Sequence, residues 1–136
     1  MRLRHALRVD LDTVVGVWVE AFAHDPYFRW IAPSDDGYVA FARDWMTFIA
    51  ELAFERGHTY IDLAGDAAGH GRGLGAMAVA PLIERCDADG LPCGLVSTNP
   101  RNISFYERLG FVAVAEVPTP DGVAVLRPMH RPCIGR

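Results

Sequence analysis

His70-Gly71-Arg72-Gly73-Leu74-Gly75 lies midway along this 136-residue chain, between a short apolar run and a stretch with helical spacing. Three alternating glycines remove side chains from the mouth of a helix. Backbone N–H groups can then converge on a phosphate, and the helix dipole favours its negative charge. Read alone, the same run also fits a tight connector with no ligand.

The flanking chain reads as alternating elements. Upstream, residues 2–8 suit a short strand. Asp10 is placed to cap a helix to about Ala23, with Leu11, Val14, Val15, Trp18 and Phe22 on one face. His24 to Pro33 reads as a loop carrying Tyr27, Phe28 and Trp30. Ser34, Asp35 and Asp36 are candidate caps for a second helix, in which Tyr38, Phe41, Ala42, Trp45, Phe48, Ile49 and Leu52 recur at helical spacing and Gly57 is the stop. His58 to Leu63 reads as a strand and 65–71 as a turn. The helix from about Arg72 to Asp89 carries Pro81, which is expected to kink or interrupt it at a cost of about 3 kcal/mol.

Downstream, Cys93 to Thr98 is a short apolar strand. Asn99-Pro100 opens a helix to Leu109, with Asn as cap and Pro in the first turn, and Gly110 ends it. Phe111 to Val117, a turn at 118–122, and Val123 to Met129 read as an antiparallel hairpin. The helix joining strands 58–63 and 93–98 implies a right-handed parallel crossover. The order is β-α-α-β-α-β-α-β-β, an α/β (α+β) class with one mixed sheet of about five strands, in a single domain over 1–136.

Two segments together resemble the GCN5-related N-acetyltransferase (GNAT) superfamily. Its pyrophosphate loop, Q/R-x-x-G-x-G/A, stands here as His70-Gly71-Arg72-Gly73-Leu74-Gly75. Its later Asn, Tyr and Gly-Phe stand as Asn99, Tyr106 and Gly110-Phe111. The stretch from Leu3 to about Glu55 is similar to the family's opening strand and two helices. The resemblance implies an acyl-CoA N-acyltransferase-like fold, shortened. The family places three antiparallel strands before the glycine loop, and only residues 58–64 are available for them. Its usual Val, Pro and Gln fall on Gly65, Ala67 and His70. The shortening bears on the substrate pocket more than on the cofactor loop.

The resemblance further implies acetyl-CoA as co-substrate, bound between two splayed parallel strands, and transfer of its acetyl group to a primary amine of a small molecule or peptide. The coenzyme-binding candidates are His70, Gly71, Arg72, Gly73, Leu74, Gly75, Ala76 and Asn99, with Arg101 a further charge. Tyr106 is the catalytic candidate, a phenol that protonates the leaving thiolate. Its spacing with Asn102, Phe105 and Leu109 equally suits a core tyrosine. Asn99 suits a helix cap as well as a contact to the coenzyme. Glu20, His58, Asp62 and Asp66 are options for the base. The aromatics Trp18, Phe22, Tyr27, Phe28 and Trp30 suit a pocket wall, helix packing or a homodimer contact. Two other readings stand beside this one: an inactive, truncated module that binds CoA or a partner, and a nucleotide-dependent oxidoreductase. The second rests on Gly71-x-Gly73-x-x-Ala76 and needs an acidic residue near Val96-Ser97-Thr98, where there is none.

Composition narrows the field. The net charge of −4 argues against nucleic acid as a partner, and no apolar run approaches the ~18 residues of a membrane span. A cytoplasmic location is the expectation. All 13 basic residues are Arg, so an anion site must be built from guanidinium groups and backbone amides. Cys86, Cys93 and Cys133 lack metal-ligand spacing, and His130 with Cys133 does not make a tetrahedral set, so no metal is expected.

Overall fold

The computed structural model describes residues 3–55, 60–62 and 74–134. Within them the order is β1 (Leu3–His5), α1 (Leu11–Ala21), α2 (Pro26–Ile31), α3 (Tyr38–Glu55), β2 (Tyr60–Asp62), α4 (Leu74–Asp89), β3 (Cys93–Ser97), α5 (Ile103–Arg108), β4 (Val112–Ala113), β5 (Val117–Pro118) and β6 (Val125–Arg131). The chain forms two compact units. The first holds Met1–His24 and Ile31–Ala78, the second Asp25–Trp30 and Val79–Arg136.

In the first unit β1 and β2 pair antiparallel, with Leu3 opposite Asp62 and His5 opposite Tyr60. Asp10 stands at the N-cap position of α1, but its side chain does not cap that helix. Its carboxylate turns back instead. Oδ2 accepts from the Leu7 amide at 2.7 Å, and the two oxygens take Arg4 Nη1 and Nη2 at 2.7 and 2.9 Å. The guanidinium, with the Leu7 amide, holds the Asp10 carboxyl at about 2. A nearby cation has outcompeted the helix amides for this carboxylate.

α1 and α3 pack together. Val14, Val15 and Val19 are buried on α1, and Tyr38, Ala42, Met46 and Ala50 on α3. The α3 residues recur every four positions, and the alanines allow close approach. Tyr38 Oη donates to the Val19 carbonyl at 3.0 Å, so its polar end is satisfied inside the core. Of the α3 residues read at helical spacing, Tyr38 and Ala42 are buried as expected, while Trp45 is 45% exposed and Phe48 54%. Helix periodicity shows a stripe, and its buried edge runs from Tyr38 through Ala42 and Met46 to Ala50. In the turn that leads into α3, Ser34 Oγ accepts from the Gly37 amide at 3.0 Å.

In the second unit β6 is the central strand. β3 pairs with it antiparallel along its length, from Cys93 opposite Arg131 to Ser97 opposite Arg127. β4 and β5 pair antiparallel with its other side. Ala113 opposes Met129 and Val117 opposes Leu126, so β4–β5 advances by one residue more than its partner. That β-bulge splits the single strand expected at 111–117. The Pro128 carbonyl accepts from Val114 N at 3.0 Å. A strand residue's N–H lies on the same side as its carbonyl, so the donor that proline lacks falls at the bulge, where the ladder is already broken.

The parallel pairing expected between strands 58–63 and 93–98 is not formed among the described residues. β2 pairs with β1 and β3 with β6, in two separate ladders. α4 runs unbroken through Pro81. The proline withholds one donor and the helix continues past it, contrary to the expected interruption. Cys93, Phe111 and Met129 are the buried centre of this unit, packed by Ile83, Cys86, Leu95, Ile103, Tyr106 and Leu109. All three cysteines are free thiols, and burial pushes the Cys93 thiol up, keeping it protonated.

α2 replaces the loop expected at 24–33. Asp25 precedes Pro26 as Asn99 precedes Pro100, and it caps α2: Oδ1 accepts from Tyr27 N at 2.9 Å and Phe28 N at 3.1 Å.

Candidate active site

Asn99 and Tyr106 sit on one short stretch of the second unit, and local sequence explains its shape. Asn99 has extended backbone, and its Oδ1 accepts from Arg101 N at 3.0 Å. With Pro100 behind it, this opens a single 3-10 turn that runs into α5. The capping role of Asn99 is therefore occupied by its oxygen. Ser97 Oγ donates to the Asn99 carbonyl at 3.1 Å and steadies the end of β3. Arg101 and Asn102 are exposed, and Asn102 makes no side-chain cap bond.

α5 ends in a Schellman motif. Gly110 N donates to the Glu107 carbonyl and Phe111 N to the Tyr106 carbonyl, with Gly110 at φ +90°. This geometry places Tyr106 and Phe111 together, and their rings meet edge-on with centroids 6.0 Å apart. Phe105 makes a second edge contact with Tyr106 at 5.1 Å. The Tyr106 ring is half-buried and its orientation is set by both neighbours. Burial raises the phenol above its ordinary value of 10.0, so it holds its proton.

Arg131 supports this junction from β6. It is 5% exposed. Its Nε donates to the Leu109 carbonyl at 3.0 Å, and Nη1 and Nη2 reach Asp87 Oδ1 and Oδ2 at 2.8 and 2.9 Å. Ile134 N also donates to Asp87 at 3.0 Å. One guanidinium thus joins α4, β6 and the end of α5. The positive φ of Gly110 calls for glycine there; a Cβ would meet Arg131 Nε only at an ordinary contact distance of 3.4 Å. Nothing in the spacing of Arg131 or Asp87 marked them beforehand.

The Asp87 carboxyl lies at about 2, held down first by Arg131 and then by the Ile134 amide. A lowered folded value stabilises the protein above the unfolded value and loses that stabilisation as pH falls toward 2. Tm should accordingly be level near neutrality and decline between about pH 4 and pH 2. Asp10 contributes in the same window. An Asp87→Asn variant should show a shallower acid decline in calorimetry, and an unchanged profile would remove Asp87 from this role.

The other sequence candidates are distributed as follows. Leu74 and Gly75 form the first turn of α4 and Ala76 is half-buried there; His70, Gly71, Arg72 and Gly73 lie outside the described residues. α4 therefore opens at the end of the glycine run, with Gly75 in its first turn. The first N–H groups of such a helix have no intrahelical partner and suit a phosphate. Of the candidate bases, Glu20 is exposed on α1 and Asp62 belongs to β2, while His58 and Asp66 lie outside the described residues. Trp18 and Phe22 are half-buried in the first unit. Tyr27, Phe28 and Trp30 cluster on α2, with Tyr27 stacked on Trp30 at 6.1 Å. Among the described residues no group of three His, Cys, Asp or Glu side chains is placed to hold a metal ion, and no helix is long and apolar enough to cross a membrane.

Solved structures share this architecture. One is described as histone acetyltransferase HPA2 and related acetyltransferase, from Corynebacterium glutamicum ATCC 13032. It matches at TM-score 0.75 and 22% identity over 98% of this chain and 97% of its own. A GCN5-related N-acetyltransferase of Rhodopseudomonas palustris, also described as an aminotransferase, class II, matches at TM-score 0.67 and 17% identity, over 96% and 94%. At these identities the likeness shows the fold: a mixed α/β, acyl-CoA N-acyltransferase-like architecture. The first match is nearly end to end in both chains, so a chain of this size carries the fold elsewhere too. The model of the acetyltransferase (GNAT) family matches residues 4–111, and this chain belongs to that family.

Proposed function

We propose that the protein transfers an acetyl group from acetyl-CoA to a primary amine of a small molecule or peptide. The observation that carries this reading is Tyr106, a phenol kept protonated by burial and oriented by Phe105 and Phe111 in the segment that begins at Asn99. Acetyl-CoA supplies the acetyl group as a thioester. The amides at the opening of α4, with His70, Gly71, Arg72 and Gly73 before them, hold the pyrophosphate by charge-assisted hydrogen bonds. The amine attacks as the neutral base. As its nitrogen bonds the acetyl carbon and the carbon–sulfur bond breaks, Tyr106 Oη donates its proton to the departing sulfur; the nitrogen sheds its surplus proton to solvent, and solvent returns one to the Tyr106 phenolate.

A second reading, a CoA-binding module without turnover, is favoured by the short stretch of sequence before the glycine loop, residues 58–64, where the family places three strands. One experiment separates the two. Acetyl-CoA at about a hundred times its Kd should stabilise the fold by about 2.7 kcal/mol, a Tm rise of several degrees. Thiol release is then followed with 2-phenylethylamine, spermidine and a lysine-containing peptide as acceptors. A Tm rise with release for at least one amine supports transfer. A rise without release supports the binding module. No rise at millimolar acetyl-CoA overturns both.

A further inference from the structure

α2 lies between two helices of the first unit in sequence, yet it belongs to the second. Two carboxylates hold it there, and each divides its oxygens in the same way. Asp25 is 3% exposed. Its Oδ1 caps α2, and its Oδ2 accepts from Thr98 Oγ1 at 2.6 Å, across 73 residues of sequence. Asp121 sits in the turn between β5 and β6. Its Oδ1 takes Thr119 Oγ1 at 2.8 Å and Val123 N at 3.1 Å, while Oδ2 accepts from Trp30 Nε1 at 2.7 Å. One oxygen organises the local turn, and the other ties α2 to a strand end. Between these ties α2 carries the Tyr27–Trp30 stack and Phe28.

The Thr98 tie lies next to Asn99, the residue that opens the Tyr106 segment. We propose that Asp25 is a positioning residue for acetyl transfer: its bond to Thr98 seats the aromatic face of α2 beside the Asn99–Tyr106 segment, so that this face aligns the apolar part of the acceptor amine. This rests on the transferase reading above. The α2 cap uses Oδ1 alone; the second oxygen of this buried carboxylate is taken up by Thr98, so the cap does not account for that bond. A short hydrogen bond to a charged group holds direction as well as distance.

Thr98→Val removes the tie and leaves the α2 cap intact, and Thr98→Ser restores the hydroxyl. The readouts are acetyl-CoA Kd by calorimetry and thiol release with whichever of the three amines above the wild type uses fastest. Thr98→Val should lower kcat/KM for the amine by about tenfold to a hundredfold, as misplacement of a reacting group does. Acetyl-CoA Kd should stay within about twofold, since Asn99 is held through Ser97 and Arg101 rather than Thr98 and the pyrophosphate candidates lie at 70–76. Thr98→Ser should recover most of the loss. Trp30→Phe, which cuts the second tie but keeps the ring, should raise the amine KM in the same direction. If the wild type releases no thiol, the transferase reading fails and this inference with it. If the wild type is active and Thr98→Val matches it, or loses coenzyme affinity in equal measure, the inference alone is overturned. A lowered Tm with unchanged kinetics would likewise reduce Asp25 to a structural tie.

Discussion

Tyr106→Phe should lower kcat by about 10²- to 10⁴-fold and leave acetyl-CoA Kd nearly unchanged. The substitution removes one oxygen and keeps the ring. The edge contacts with Phe105 and Phe111 remain, as does the packing on Cys93 and Met129. Stability should therefore move by less than about 1 kcal/mol. The wild type has a matching pH signature. Burial raises the phenol above 10.0, so loss of its proton should not reduce turnover until pH exceeds that value. Stopped-flow or steady-state thiol release checks both statements. Equal turnover in the variant would leave Tyr106 a core side chain with a buried edge, and the donor to sulfur would have to be sought elsewhere.

Phe111→Ala should be the most destabilising single change in the second unit, at about 3–5 kcal/mol. Phe111 is 4% exposed and stands at the centre of the buried cluster with Cys93 and Met129. That loss is a large share of the 5–15 kcal/mol by which a domain is usually stable. Phe111→Leu keeps the apolar volume and should cost much less. The two variants also separate stability from orientation: alanine removes the ring that faces Tyr106, so any folded Phe111→Ala protein should show reduced kcat as well. Urea unfolding measures the first effect. A Phe111→Ala protein as stable as wild type would mean that this cluster does not hold the unit together.

The Gly110-Phe111 pair shows how much of this was legible in the chain. Its reading as a helix stop was enough to place the end of α5. The Schellman geometry then gives the pair a physical meaning, because the residue after the glycine must meet the one five places earlier, here Tyr106. Asn99-Pro100 was equally readable. Asp25-Pro26 carries the same cap-and-proline signal, but the aromatics that follow it read as a loop, and α2 was missed. The α3 stripe was visible by period, while the choice of buried side was not. Period gives the spacing but not which of two neighbouring rows is buried: Tyr38, Ala42, Met46 and Ala50 are, and Trp45 and Phe48 are not. The Arg131–Asp87 clamp and the Thr98 tie join residues 44 and 73 positions apart. Such pairs leave no trace in local patterning. The glycine run at 70–75 was the clearest motif in the sequence, and of it the described residues hold the opening of α4 alone.

The excursion of residues 25–30 has a consequence for how the molecule comes apart. The backbone passes from one unit to the other at 24–25, again at 30–31 and again at 78–79. No single proteolytic nick can release either half with all its own residues, and no contiguous gene fragment encodes one. A clone ending near residue 78 would carry α2 without the strand ends that tether it; one starting there would lack α2 altogether.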